Sequence, residues 1–203
     1  MDEQFVRDAS DALALRDPAM NRILVGWGYP PLCERPRGFS TMVHIILEQQ
    51  VSLQSANATW ARLRLLLDDE VSPVTVGNAA DEDLRTIGFS KQKIGYAKSM
   101  ANAVQSGRFH FDAIENLEDE AARERLKTLH GIGDWSADIY LSECLLRPDI
   151  LPKGDIAVLE MTRRIHGLEE RPSHEELVAL CEVWRPYRSV ATRLLWHEYL
   201  NEG

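Results

Sequence analysis

Asp155 is the acidic residue whose surroundings best suit a chemical role. Pro152 and Gly154 mark a loop before it, and the apolar run at residues 156–159 restarts a helical pattern after it. Asp155 is therefore predicted to be a helix N-cap, where backbone N–H groups and the helix dipole stabilise a carboxylate. An ionised carboxylate can stabilise a developing positive charge or activate a water molecule. Capping alone would also account for an Asp here.

A second feature is the stretch Leu-x-x-Leu-x-Gly-Ile-Gly, which begins at Leu126. Gly131 and Gly133 interrupt a helical pattern and predict a tight turn, with Ile132 tucked between two helices. The next helix is predicted to start at Asp134, and its first N–H groups would point out of the turn. Without glycine side chains in the way, a phosphate can approach this backbone closely. An ordinary helical hairpin with a glycine C-cap has the same pattern.

The order of hairpin, tryptophan, loop and isolated Asp resembles the helix-hairpin-helix DNA glycosylase superfamily. Within it, the run Gly-Ile-Gly-x-Trp-Ser-Ala, which contains Trp135, is most similar to the AlkA-type 3-methyladenine DNA glycosylases. A second shared stretch, Trp-x-Pro-x-Arg-Ser-x-Ala, begins at Trp184. The resemblance extends from about Gly38 to Tyr199.

The resemblance implies an all-α, two-lobed helix-hairpin-helix DNA glycosylase fold with the active cleft between the lobes. Residues 1–37 and 118–203 would form the lobe that contains the N-terminal segment, the hairpin and the C-terminal helices, and residues 38–117 would form a helical lobe. Helical periodicity agrees, with helices predicted over residues 39–50, 91–106 and 134–147. Residues 71–76 are the nearest candidate for a strand, and Pro73 argues against one.

The implied activity is hydrolysis of the N-glycosidic bond of alkylated purines, such as 3-methyladenine and 7-methylguanine, after base flipping. Asp155 would be the catalytic carboxylate, and the aromatic faces of Trp135 and Trp196 would attract a cationic base. Bifunctional relatives form a Schiff base with a lysine where this chain has Trp135, so the resemblance implies a monofunctional enzyme without AP-lyase activity. A non-catalytic helix-hairpin-helix DNA-binding module, or a glycosylase for ethenoadenine, hypoxanthine or mismatched thymine, remains open.

The expected partner is double-stranded DNA with an alkylated base. Gln49 and Gln50 can both donate and accept hydrogen bonds, as reading base edges in the minor groove requires. Lys91 stands where AlkA-type enzymes insert an apolar wedge, with Phe89 two positions earlier, and a lysine there would contact phosphate or snorkel instead. The predicted DNA-contact residues are Gly131, Ile132, Gly133, Ser136, Gln49, Gln50 and Lys91.

The resemblance also implies a sodium or potassium ion bound by the backbone carbonyls of Lys127, Leu129 and Ile132.

Composition limits these expectations. The net charge is −9, from 32 acidic and 23 basic residues, which predicts weak, salt-sensitive DNA binding that depends on local contacts. The three cysteines are far apart in sequence and too few for the four-cysteine iron–sulfur cluster of many relatives. Neither a signal peptide nor a membrane-spanning apolar run is recognisable, so we expect a cytoplasmic monomer.

Overall fold

The chain folds into α-helices joined by short loops. The computed structural model describes residues 1–201, and none of these residues lies in a β-strand. The helices are α1 (Glu3–Arg16), α2 (Pro18–Trp27), α3 (Phe39–Glu48), α4 (Leu53–Leu66), α5 (Pro73–Asn78), α6 (Asp81–Thr86), α7 (Lys91–Gln105), α8 (Asp119–Lys127), α9 (Asp134–Ile139), α10 (Ile156–Ile165), α11 (His174–Leu180) and α12 (Arg188–Asn201). The all-α fold class is therefore confirmed.

Residues 1–34 and 141–201 belong to a first compact unit. Its apolar core is built from α1, α2, α10, α11 and α12, and Trp184 is its largest fully buried side chain. The Trp184 indole N–H donates to Asp17 Oδ2 over 2.7 Å, and Asp17 in turn caps α2. Arg193, which is almost fully buried, donates to the carbonyl oxygens of Leu32, Ser142 and Ser189. These contacts tie the N-terminal segment to α12.

Residues 35–140 form the second unit, organised around the strongly apolar helix α3. Helix α3 packs on α4, α7 and α9, while α5 and α6 pack on α7. The Lys93 ammonium on α7 donates to the Leu47 carbonyl oxygen over 2.8 Å. A cation placed there complements the negative end of the α3 dipole.

Helix starts follow the local capping rules. Ser52, Ser90 and Ser173 each accept a hydrogen bond from a backbone N–H in the first turn of the following helix, and Ser173 forms a capping box with Glu176. The predicted helix over residues 134–147 differs from the structure. Helix α9 ends at Ile139 and continues as a π-helical turn, Tyr140–Cys144. The α-helix therefore stops where the chain passes from the second unit to the first.

The two units differ from the predicted lobes mainly at residues 118–140, which pack within the second unit. A division by compactness is a different criterion from the lobes that the family resemblance implies, so the lobe boundaries stay a prediction. In the part of the chain that the structure describes, every helix is too short or too polar to cross a membrane.

Candidate active site

Asp155 lies at the N-cap of α10, as the sequence predicts. Gly154 has a φ of 77°, a left-handed conformation that favours glycine, and it turns the chain just before Asp155. The carboxylate Oδ1 accepts a hydrogen bond of 2.9 Å from the Val158 N–H. Only 8% of Asp155 is exposed, so donors of the protein rather than bulk water must stabilise much of its charge.

Trp196 on α12 is brought directly to this carboxylate. Its indole Nε1 donates to Asp155 Oδ1 over 3.2 Å, and its ring is partly buried against the core of the first unit. Sequence reasoning predicted an aromatic pocket residue and missed this hydrogen bond. The donor on α12 and the acceptor before α10 are 41 residues apart, and only the packing of the two helices brings them together.

The hairpin turn lies between α8 and α9 in the second unit. Gly131 has a φ of 86°, and a Cβ on Gly131 would lie 2.1 Å from Tyr96 Cγ. Ile132 is 5% exposed and points into the core, as predicted. Gly133 differs from Gly131, because its φ is −101° and a Cβ there would meet nothing within 4 Å. Because Gly131 has no side chain, the Tyr96 ring can pack against its backbone. The space beside Gly133 is instead open to a ligand.

Gln49 is held against this hairpin. Its side-chain Nε2 donates to the Gly131 carbonyl oxygen and to Ser136 Oγ, both over 2.9 Å. Ser136 is buried, so its hydroxyl supports the turn from inside. Gln50 is exposed and has a φ of 56°. The two adjacent glutamines thus have different surroundings, and their role in reading bases stays a prediction.

Two ion pairs join α8 to α9. Arg123 Nε contacts Asp138 Oδ1 over 2.7 Å, and Lys127 Nζ contacts Asp134 Oδ1 over 2.7 Å. Asp134, with help from Glu124, raises the pKa of the Lys127 ammonium above its ordinary value. The carboxylate beside the turn is therefore partly neutralised by Lys127, a pairing that the sequence reasoning missed although the spacing of residues 123 and 127 matches that of 134 and 138 in an antiparallel hairpin.

The remaining residues considered for the site are Trp135, Lys91 and Phe89. Trp135 is partly exposed in the first turn of α9 and belongs to the second unit, whereas Asp155 and Trp196 belong to the first. Lys91 is exposed as the first residue of α7. Phe89 is 4% exposed and forms part of the core. Among residues 1–201, no three His, Cys, Asp or Glu side chains are grouped so as to hold a metal ion.

Comparisons with known proteins identify the family of the chain. The HhH-GPD superfamily base excision DNA repair protein family matches residues 43–186. DNA-3-methyladenine glycosylase 1 of Schizosaccharomyces pombe is 28% identical over 166 residues, which are 80% of this chain and 73% of the yeast protein.

Two solved structures have the same fold. The S. pombe 3-methyladenine DNA glycosylase in complex with abasic DNA has a TM-score of 0.86 and 28% identity, and the match covers 93% of this chain and 95% of that one. The Bacillus halodurans DNA-3-methyladenine glycosidase has a TM-score of 0.75 and 30% identity, with 92% and 87% covered.

The contact between Gly131 and Tyr96 gives a stability prediction. Gly131→Ala should destabilise the fold by at least about 2 kcal/mol, because it adds a clash and a left-handed alanine, and should lower Tm by roughly 4–8 °C. Gly95→Ala, one residue before Tyr96, is the control. Its Cβ would meet nothing within 4 Å, and alanine in a helix is favoured by up to about 1 kcal/mol. Thermal melting that left Gly131→Ala as stable as the wild type would contradict this packing.

Proposed function

Because the chain belongs to the HhH-GPD superfamily of base excision DNA repair proteins, we propose that it is a DNA glycosylase for alkylated purines such as 3-methyladenine and 7-methylguanine. The observation that carries this proposal is Asp155, a nearly buried carboxylate that accepts hydrogen bonds from Val158 and Trp196 at the start of α10. The names of the relatives support 3-methyladenine as a substrate.

The chemistry requires a carboxylate that stays ionised. Breaking an N-glycosidic bond develops positive charge on the sugar, in an oxocarbenium-like transition state, and a nearby carboxylate stabilises that charge. Asp155 would also orient or deprotonate the attacking water. Two N–H groups donate to Oδ1, so the same contacts that hold the side chain place it for this role.

The choice of alkylated purines follows from the leaving group. A purine alkylated at N3 or N7 is already cationic, so it departs without a dedicated general acid. Recognition is then left to groups that attract a flat cation, and the faces of Trp135 and Trp196 can do so. Because a tryptophan cannot form a Schiff base, Trp135 also supports a monofunctional enzyme that leaves the abasic site uncut.

DNA binding is assigned to the hairpin. The N–H groups at Gly133 and the start of α9 would bind a phosphate, and the open space beside Gly133 supports this assignment. The carbonyl oxygens of Lys127, Leu129 and Ile132 would hold a sodium or potassium ion, which would add positive charge near the phosphate. Leu129 already accepts the Ile132 N–H over 3.1 Å, and a carbonyl oxygen has a second lone pair for a cation. Helix α7 would add Lys91 as a phosphate contact.

The first test is Asp155→Asn. Asparagine is also a good N-cap, so the variant should keep its melting temperature and its affinity for abasic DNA, while base release from methylated DNA falls below detection. The wild-type product should be an uncut abasic site, and borohydride should trap no covalent adduct. Near-normal base release by folded Asp155→Asn would show that Asp155 is not the catalytic group. No base release by the wild type would leave the DNA-binding module or a glycosylase for another lesion.

A second prediction concerns Asp134. Asp134→Asn should raise DNA affinity several-fold, because it removes a negative charge beside the turn and leaves Lys127 with Glu124 as its carboxylate partner, so that Lys127 is more available to phosphate. The slope of log K against log salt should steepen by about 1.

Asp81→Asn is the matched control for that experiment. It removes the same charge from the exposed Asp81–Lys98 pair, outside the hairpin and in the same unit. An equal gain in affinity for both variants would mean that net charge matters and the hairpin pair does not.

A third prediction separates charge recognition from shape. Trp135→Ala should slow release of cationic 3-methyladenine more than release of neutral hypoxanthine, by about 1–2 kcal/mol for a desolvated cation–π contact. That difference corresponds to roughly a five- to thirtyfold change in the ratio of rates. Trp135→Phe should fall between, because it keeps a weaker aromatic face. Equal losses on both bases, in protein shown by circular dichroism to be folded, would mean that Trp135 contributes shape alone.

A further inference from the structure

The indole of Trp196 contacts the same oxygen of Asp155 that caps α10. Val158 N–H and Trp196 Nε1 both donate to Oδ1, over 2.9 Å and 3.2 Å. One donor belongs to the helix that Asp155 caps, and the other belongs to a different helix, α12. The carboxylate is therefore held from two directions, which restricts rotation about its Cβ–Cγ bond more than a cap alone would.

The indole of Trp196 is well suited to holding the Asp155 carboxylate. Indole N–H is a donor only, so it can pair with an acceptor such as a carboxylate oxygen and cannot accept a hydrogen bond itself. Its ring packs against the core of the first unit, beside the contact between α10 and α12. The direction of the N–H is thus set by packing before any ligand arrives.

The same pair of residue types occurs a second time in this unit. Asp17 caps α2 through Oδ1 and accepts the Trp184 indole N–H at Oδ2 over 2.7 Å. Trp184 is fully buried, whereas Trp196 is only partly buried. The two Asp side chains are both 8% exposed, so the pairs differ in the exposure of the tryptophan and not in that of the carboxylate.

We propose that Trp196 is a positioning residue, whose N–H orients the Asp155 carboxylate toward the positive charge that forms on the sugar. This role rests on the proposed function and is separate from any contact between the ring face and the base. A hydrogen bond to a charged group contributes about 1.5–3 kcal/mol. Loss of the N–H should leave the carboxylate freer to rotate away from the sugar, and such misplacement should weaken the interaction of Asp155 with a sugar-like cation by roughly ten- to a hundredfold.

The test uses DNA that contains no target base. Wild-type protein, Trp196→Phe and Asp155→Asn are titrated with duplexes that carry either a neutral tetrahydrofuran abasic analogue or a cationic pyrrolidine analogue. The wild type should prefer the cation, Asp155→Asn should lose the preference, and Trp196→Phe should lose roughly ten- to a hundredfold of it. Affinity for the neutral analogue should stay within about twofold in both variants, since phosphate contacts dominate it. If Trp196 only stacked on the base, Trp196→Phe would leave the ratio of the two affinities at its wild-type value, because neither analogue has a base.

Trp184→Phe is the matched control. It removes an indole N–H from a capping Asp in the same unit, so it should lower Tm and leave the preference for the cationic analogue at the wild-type value. If Trp196→Phe fails to fold, site-specific replacement of Trp196 by benzothienylalanine removes the N–H and retains the ring shape.

The outcomes separate the inference from the proposed function. A wild-type cation preference in Trp196→Phe, together with its loss in Asp155→Asn, would overturn the positioning role and leave Asp155 as the catalytic group. An equal drop in affinity for the neutral and cationic analogues would also overturn it, because the role would then be structural. No cation preference in the wild type, or full preference in Asp155→Asn, would instead overturn the proposed catalytic function of Asp155.

Discussion

A nearly buried carboxylate is the constraint around which the first unit is arranged. Removing an ionised group from water costs several kcal/mol unless the protein supplies donors in exchange. For Asp155 these donors include a backbone N–H of α10 and the indole of Trp196 on α12. The loop must therefore end at the correct point, α10 must begin there, and α12 must pack beside it. The hydrogen bonds to Asp155 thus fix the positions of three segments: the loop before it, α10 and α12.

For the second unit, the electrostatic problem is the net negative charge of the chain. With a net charge of −9, the proposed binding to DNA would gain little from long-range attraction, so its contacts would have to be local. The hairpin offers backbone N–H groups, and the Lys127–Asp134 and Arg123–Asp138 pairs neutralise the acids of α9 from α8. The same ion pairs join the two helices. Charge compensation and rigidity of the turn therefore come from the same side chains.

The features that could be predicted from sequence are those that depend on neighbouring residues. Asp155 was predicted as a helix cap and caps α10, because a cap needs only residues within one turn. Ser52, Ser90 and Ser173 cap their helices by the same local rule. Pro73 argued against a strand, and it is the first residue of α5. By contrast, the π-helical turn that begins at Tyr140 follows from no local signal that we recognised.

The interactions that escaped prediction join residues far apart in the chain. Gly131 was expected to be small so that a phosphate could approach, yet the Tyr96 ring occupies the space that its side chain would need. Gln49 was expected to face DNA, and its amide donates to Gly131 and Ser136 across more than 80 residues. A pattern of residue types can indicate that a glycine or glutamine matters at a junction. Which neighbour makes it matter depends on how the helices pack, and periodicity does not encode that.

Burial and hydrogen bonding by themselves do not identify the candidate catalytic acid. Asp17 and Asp155 are equally exposed, at 8% each, both cap helices, and both accept a tryptophan N–H. What separates them is the partner, because Trp184 is sealed in the core and Trp196 keeps part of its ring at the surface. The exposed part of Trp196 leaves room for a contact with a ligand that Trp184 cannot make. The same pairing of a capping Asp with an indole N–H therefore stabilises the core at Asp17, and at Asp155 it would also hold the carboxylate that the proposed reaction requires.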